Sequence, residues 1–204
     1  PSVATQRALA CQPECIFSIL DQPLKRKLQL LQYALPDHKK IALFYSRYSE
    51  QKAKEIISRS YSHELKVNIT PYNKANSLLE NLSPILSKTD LLLAIPDPEV
   101  YNRQTARSII LMTYRKEVPI FGYSESFTRA GALLSLHSSP EEFARHNADV
   151  AMKILNGRKV QYGVIYPKYF SVSVNQTVAR SLDIKLDSSI ALTNWLRKKD
   201  GDSR

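Results

Sequence analysis

Leu91-Leu92-Leu93-Ala94-Ile95-Pro96-Asp97-Pro98 decides the fold: five apolar residues in a row, shut off by two prolines around an aspartate. A strand with one face in water alternates apolar and polar residues. An unbroken apolar run of this length predicts a strand covered on both faces. Pro96 and Pro98 stiffen the turn that follows and deny it a helix. Working outward, the same unit recurs. Upstream, Lys40-Ile41-Ala42-Leu43-Phe44-Tyr45 is a second strand-type run, and Ser49 caps a helix reaching residue 60. Residues 65–69 alternate as a strand should, and 76–86 carry leucines at helical spacing. Downstream, a helix over 101–115 leads to a strand over 118–123. Strand and helix patterns thus alternate four times, which predicts βαβ units in an α/β fold. The sheet is an open parallel one, with helices on both faces and right-handed crossovers.

The flanks fit this frame. Leu24, Leu28, Leu31 and Leu35 share one face of a helix that Pro36 ends. Ser139 as N-cap and Pro140 at the first helical position open a helix over 140–155, which Asn156-Gly157 closes. Residues 170–174 read as a strand and 176–182 as a short helix. The stretch 198–204 reads as a charged, frayed tail.

Composition narrows the chemistry. With 204 residues and 43% hydrophobic content, the chain suits one large domain or two small ones. No run approaches the ~20 apolar residues of a membrane-spanning helix. Only 5 glycines are present, too few and too scattered for a G-x-G-x-x-G fingerprint or a P-loop. With 2 cysteines and 4 histidines, neither a zinc site nor another cofactor is expected. The 29 basic and 19 acidic residues give a net charge of +10. The basic residues are scattered, however, clustering only at Lys25-Arg26-Lys27, Lys39-Lys40 and Arg197-Lys198-Lys199. With no aromatic-interleaved stripe to join them, a solvated basic surface is favoured over nucleic-acid binding. Cys11 and Cys15 are too far apart for C-x-x-C redox chemistry; a local disulfide and two free thiols both remain open.

Ligands of open α/β sheets sit at the carboxyl ends of the strands. There the sequence places Ser46, Tyr48, Asp97, Tyr101, Asn102, Tyr123, Ser124 and Glu125, a hydroxylic and aromatic rim suited to a small polar or aromatic molecule. Asp97 leads this set as a partner for an ammonium group or hydroxyls; its rival role is to cap the helix behind it. Gly122-Tyr123-Ser124-Glu125-Ser126 has the spacing of a nucleophile elbow but lacks the final glycine. His137 comes too soon for the usual triad order, and His146 sits inside a helix.

Several stretches from Asp21 onward, taken in order, resemble the substrate-binding proteins of ABC transporters, the family that includes tryptophan/tyrosine-type binders. They are Asp21-Gln22-Pro23-Leu24 with Ala34-Leu35-Pro36, the strand ending in Tyr45-Ser46, Leu93-Ala94-Ile95-Pro96-Asp97 and Val118-Pro119-Ile120-Phe121-Gly122. Arg129-Ala130-Gly131-Ala132-Leu133, Ala151-Met152-Lys153-Ile154-Leu155-Asn156-Gly157, Tyr166-Pro167, Val174-Asn175 and Ala179-Arg180-Ser181-Leu182 continue the match to about residue 192. The resemblance implies a type I periplasmic-binding-protein fold, two α/β lobes around a cleft. The C-terminal lobe would be 21–137 completed by 169–197, and residues 138–168 would form a helix and crossover returning to the other lobe. Only residues 1–20 and that helix would represent the N-terminal lobe, so the resemblance implies a truncated, processed or divergent member. Two departures fall on the rim. Tyr45-Ser46-Arg47-Tyr48 stands where the family usually has Tyr-Asn-Pro-Ser, and Tyr123-Ser124-Glu125 where an acidic pair commonly follows Phe-Gly.

What the resemblance implies is a non-enzymatic, periplasmic or otherwise extracytoplasmic protein. It would bind a small molecule, such as an amino acid, and hand it to an ABC transporter permease. A sensory or regulatory module of the same fold is the alternative, separable by a helix-turn-helix headpiece or a signal peptide upstream. A hydrolase using Ser124 is the third class, and it predicts ester turnover abolished by Ser124→Ala.

Overall fold

The computed structural model describes residues 15–60 and 64–201. Its main sheet is mostly parallel, with strands in the order β3-β2-β4-β5-β6-β8. These are β2 (Lys40–Tyr45), β3 (Lys66–Pro71), β4 (Leu91–Leu93), β5 (Ile120–Gly122), β6 (Leu134–His137) and β8 (Ser171–Val174). The central position of β4 explains its composition: Leu91 to Ile95 are all at most 1% exposed, because helices cover both faces. One face packs against α1 (Leu24–Ala34), α2 (Glu50–Ser60) and α8 (Ser189–Gly201); the other packs against α3 (Leu78–Leu86) and α4 (Ala106–Arg115). β8 closes the sheet antiparallel to β6, with His137 opposite Ser171. A second sheet holds only β1 (Ile16–Ser18) and β7 (Gly163–Ile165), paired in parallel. α6 (Pro140–Leu155) carries the chain from β6 to β7 of the second sheet, whereas α5 (Glu125–Ala130) joins β5 to β6 and packs on both, and α7 (Gln176–Ser181) follows β8.

Several boundaries differ from the sequence reading, each for a local reason. α4 starts at Ala106 rather than Tyr101. The Asn102 side chain accepts the amides of Gln104 and Thr105, and Thr105 Oγ1 donates to the Val100 carbonyl, so a side-chain-bonded turn displaces the first helical turn. α3 starts at Leu78 because Ser77 and Glu80 form a reciprocal capping box. The Ser49 hydroxyl donates to Asp97 across the molecule. The expected frayed tail is helical through Gly201: Leu196 is buried beneath it, and Asp200 pairs with Arg26 at 2.9 Å. Ser139, Pro140 and Asn156-Gly157 bound α6 as expected. Cys11, and with it any pairing to Cys15, lies outside the described residues. Gly122 is required by packing, since a Cβ there would run into Ser135 and Phe127 where α5 crosses β5 and β6.

Candidate functional site

The carboxyl ends of β2, β4 and β5 converge on Asp97. Its side chain is 2% exposed and its two oxygens collect donors from two loops. Ser46 donates its amide (2.8 Å) and hydroxyl (2.8 and 2.9 Å), and the Ser49 hydroxyl also bonds it. From its own turn, the amides of Glu99 (2.9 Å) and Val100 (3.1 Å) complete the shell. Burial pushes the Asp97 pKa up, but the bonds from Ser49, Ser46 and Val100 outweigh it and hold the carboxyl below its ordinary value. Asp97 is therefore a fastener between the β2 and β4 loops as well as a turn cap. Glu99, beside it, takes Lys74 at 3.0 Å and Arg47 at 3.4 Å, tying in the loop after β3. Ser49 and Glu99 were missed by sequence reasoning. The i+3 spacing of Ser49 from Ser46 and the i+2 spacing of Glu99 from Asp97 were the available signals.

On this base sits an aromatic group. Tyr123 stacks on Phe127 (5.4 Å between centroids), and Tyr101 meets Phe127 and Tyr123 edge-on at 5.6 and 6.1 Å. Tyr101 is 7% exposed, and its hydroxyl has no hydrogen-bond partner among the described residues. Burial first, then the neighbouring Tyr123 and Asp97, raise its pKa. Tyr123 is half-buried, and burial first, then the field of Asp97, raise its pKa too. The other expected rim residues have neighbours of their own. Tyr48 is exposed beneath the Arg47 guanidinium, Asn102 holds its turn, and Glu125 pairs with Arg129 at 3.2 Å. Ser124 accepts the Phe127 amide as N-cap of α5 and lies 3.1 Å from Ser126 Oγ. His137 is engaged by Ser173 at 2.8 Å, and among the described residues the hydrogen-bond partners of Ser124 are the Phe127 amide and Ser126. Among the described residues no three His, Cys, Asp or Glu side chains are placed to hold a metal.

Beside the rim, three chain passages join the two sheets, and polar side chains knot them together. Gln22 Nε2 donates to Ser138 Oγ (2.8 Å), which donates to the Tyr169 carbonyl (2.6 Å). Arg26, 4% exposed, reaches the Pro167 carbonyl (2.6 Å), Gln22 (2.9 Å) and Asp200. Asp21 accepts Lys27 of α1 at 2.6 Å and Lys52 of α2. Burial pulls Lys27 down to about 7 and Lys52 to about 8, against the field of Glu55. A lysine whose folded pKa is depressed binds fewer protons folded than unfolded between the two values. Its contribution therefore rises as pH climbs from about 7 to about 10. Relative to Lys27→Met, the wild-type chain should gain about 3 kcal/mol over that range. Paired urea titrations at pH 7 and pH 9.5 measure it; a constant difference would refute the buried-ammonium account.

Two concavities lie away from this rim. One of about 510 Å³ opens at the amino ends of β2, β4 and β5, between Asp37, His38, Asp90 and Glu117.

Comparison with known proteins places this arrangement. The family described as ABC transporter substrate binding protein matches residues 20–194. No curated protein matches the chain significantly. Similar solved structures include a conserved domain protein from Vibrio cholerae (20% identity, TM-score 0.67, covering 87% of this chain and 60% of that one). An ABC domain in complex with L-Trp from Streptococcus pneumonia is 16% identical (TM-score 0.66, 87% and 60%). A ligand-free, open substrate-binding protein with adhesive properties from Clostridium difficile is 19% identical (TM-score 0.68, 84% and 59%). Their fold is that of the type I periplasmic binding proteins. The chain spans about 60% of the length of these structures.

Proposed function

Because the chain belongs to the family of ABC transporter substrate-binding proteins, we propose that it is the solute-binding component of an importer. It takes a small molecule, an amino acid or a compound like one, on the strand-end rim and presents it to an ABC permease outside the cytoplasm. What carries the reading is the convergence of an aromatic, hydroxylic rim with a knot of three interlobe passages. That is the arrangement a protein needs to hold a ligand while two lobes pivot. Tyr123, Ser124, Glu125, Tyr48 and Asn102 form the ligand face in this reading. Tyr101 sets an unused hydroxyl beneath them, and Ser46 and Asp97 hold the loops in place. Residues 21–137 with 169–197 make one lobe; of the other described residues, 15–20 and 138–168 belong to the second. Among the described residues no helix is long and apolar enough to cross a membrane.

Thermal-shift screening against the amino acids and small metabolites tests the proposal, since a ligand that binds only the folded chain raises its melting temperature. With a ligand in hand, Tyr123→Ala should weaken binding tenfold or more, about 1.4 kcal/mol. Truncating the half-buried ring should lower stability by only about 1 kcal/mol. Unchanged affinity in both Tyr123→Ala and Ser124→Ala would remove the site from this rim.

A further inference from the structure

Outside the rim, α6, the passage from β7 to β8 and α8 enclose a concavity of about 370 Å³. Tyr169 and the buried Phe170 give it an apolar floor. The two acids that line it are already committed. Glu142 accepts the Ser139 amide (3.0 Å), the Ser171 hydroxyl (2.8 Å) and Arg197 (3.0 Å), while Asp200 takes Arg26. Two exposed cations remain at the opening. The Arg145 guanidinium lies 4.4 Å and the Lys168 ammonium 5.2 Å from the centroid of the Tyr169 ring. Asp149 is the carboxylate in their field, and it is itself tied to the Tyr169 hydroxyl at 2.7 Å. The opening therefore carries surplus positive charge on two heads whose positions one aromatic ring already restricts.

We propose that this concavity binds a small organic anion. Its carboxylate or phosphate head lies between Arg145 and Lys168, and its apolar body rests against the Tyr169 side chain, with Phe170 buried beneath. The volume falls in the range of small-molecule sites, roughly 300–1,000 Å³. Partial pre-orientation of the cations lowers the ordering cost of binding. The net charge of +10 raises the local concentration of anions. This site is separate from the strand-end rim and does not depend on the transport reading.

Calorimetric titration of the chain with benzoate, phenyl phosphate and inorganic phosphate, at constant ionic strength, tests the assignment. Saturable binding of benzoate or phenyl phosphate is expected, and the tighter of the two names the anionic head. The double variant Arg145→Gln/Lys168→Gln changes two exposed positions and should weaken that binding tenfold or more, whereas Tyr123→Ala should leave it unchanged. Absence of saturation by both organic probes, equal affinity for inorganic phosphate, or unchanged binding in the double variant would each overturn the site.

Discussion

Asp97→Ala should lower the stability of the folded chain by about 4 kcal/mol, far beyond the ~1 kcal/mol of a lost helix cap. The reason is the number of donors left behind. Two hydroxyls and three amides converge on one buried carboxylate, and alanine strands them where water enters poorly. Asp97→Asn retains one acceptor oxygen and should lose about half as much. Chemical denaturation followed by the fluorescence of the single Trp195 measures both. The pH dependence has a definite sign. The folded-state pKa is depressed, so the contribution is present above the unfolded value of about 3.9 and fades as pH falls through the lower folded value. A loss near 1 kcal/mol for Asp97→Ala, with no acid dependence, would reduce Asp97 to a simple turn cap.

Arg26→Ala should cost about 3 kcal/mol, since it removes a buried guanidinium that serves three groups at once. The Pro167 carbonyl, Asp200 and the Gln22 side chain each lose a bond from the guanidinium, and Phe170 loses the same group 4.3 Å above its ring. Arg26→Lys keeps the charge but not the fork, and should recover less than half of the loss. Urea unfolding gives the values. A loss under 1 kcal/mol would mean that the passages between the two sheets are held without Arg26.

The parallel core was legible because its strands are buried on both faces. β2 and β4 are apolar runs that nothing else explains, and α6 carries both its start and its stop signal in the sequence. α8 was not legible. Its apolar residues are sparse, Ile190 faces solvent, and the helix is held by Leu192, Leu196 and the stacking of Trp195 on Tyr33 at 3.9 Å, contacts with elements far away in the chain. β6 reads Leu134-Ser135-Leu136-His137, an alternation that suggests an exposed face, yet all four residues are buried because Thr128 and Ser173 satisfy the two polar ones. At the rim, position was legible and role was not. Sequence placed Asp97 at a strand end and weighed it as ligand contact or cap. Its bonds to Ser46 and Ser49 span 51 and 48 residues, and no local pattern encodes such partners.

The antiparallel pairing of β6 with β8 has a consequence for how the chain is threaded. His137 faces Ser171 at the end of the ladder, the position from which a hairpin turn would spring. Residues 138–170 therefore occupy the place of a hairpin loop, one long enough to carry α6 and β7 over to a second sheet. Closing a loop of that length costs only modestly more chain entropy than closing a tight turn, because the cost grows with the logarithm of length. Evolution can thus lengthen, shorten or exchange this excursion without disturbing the six-stranded sheet, and the two ends of the splice are already side by side.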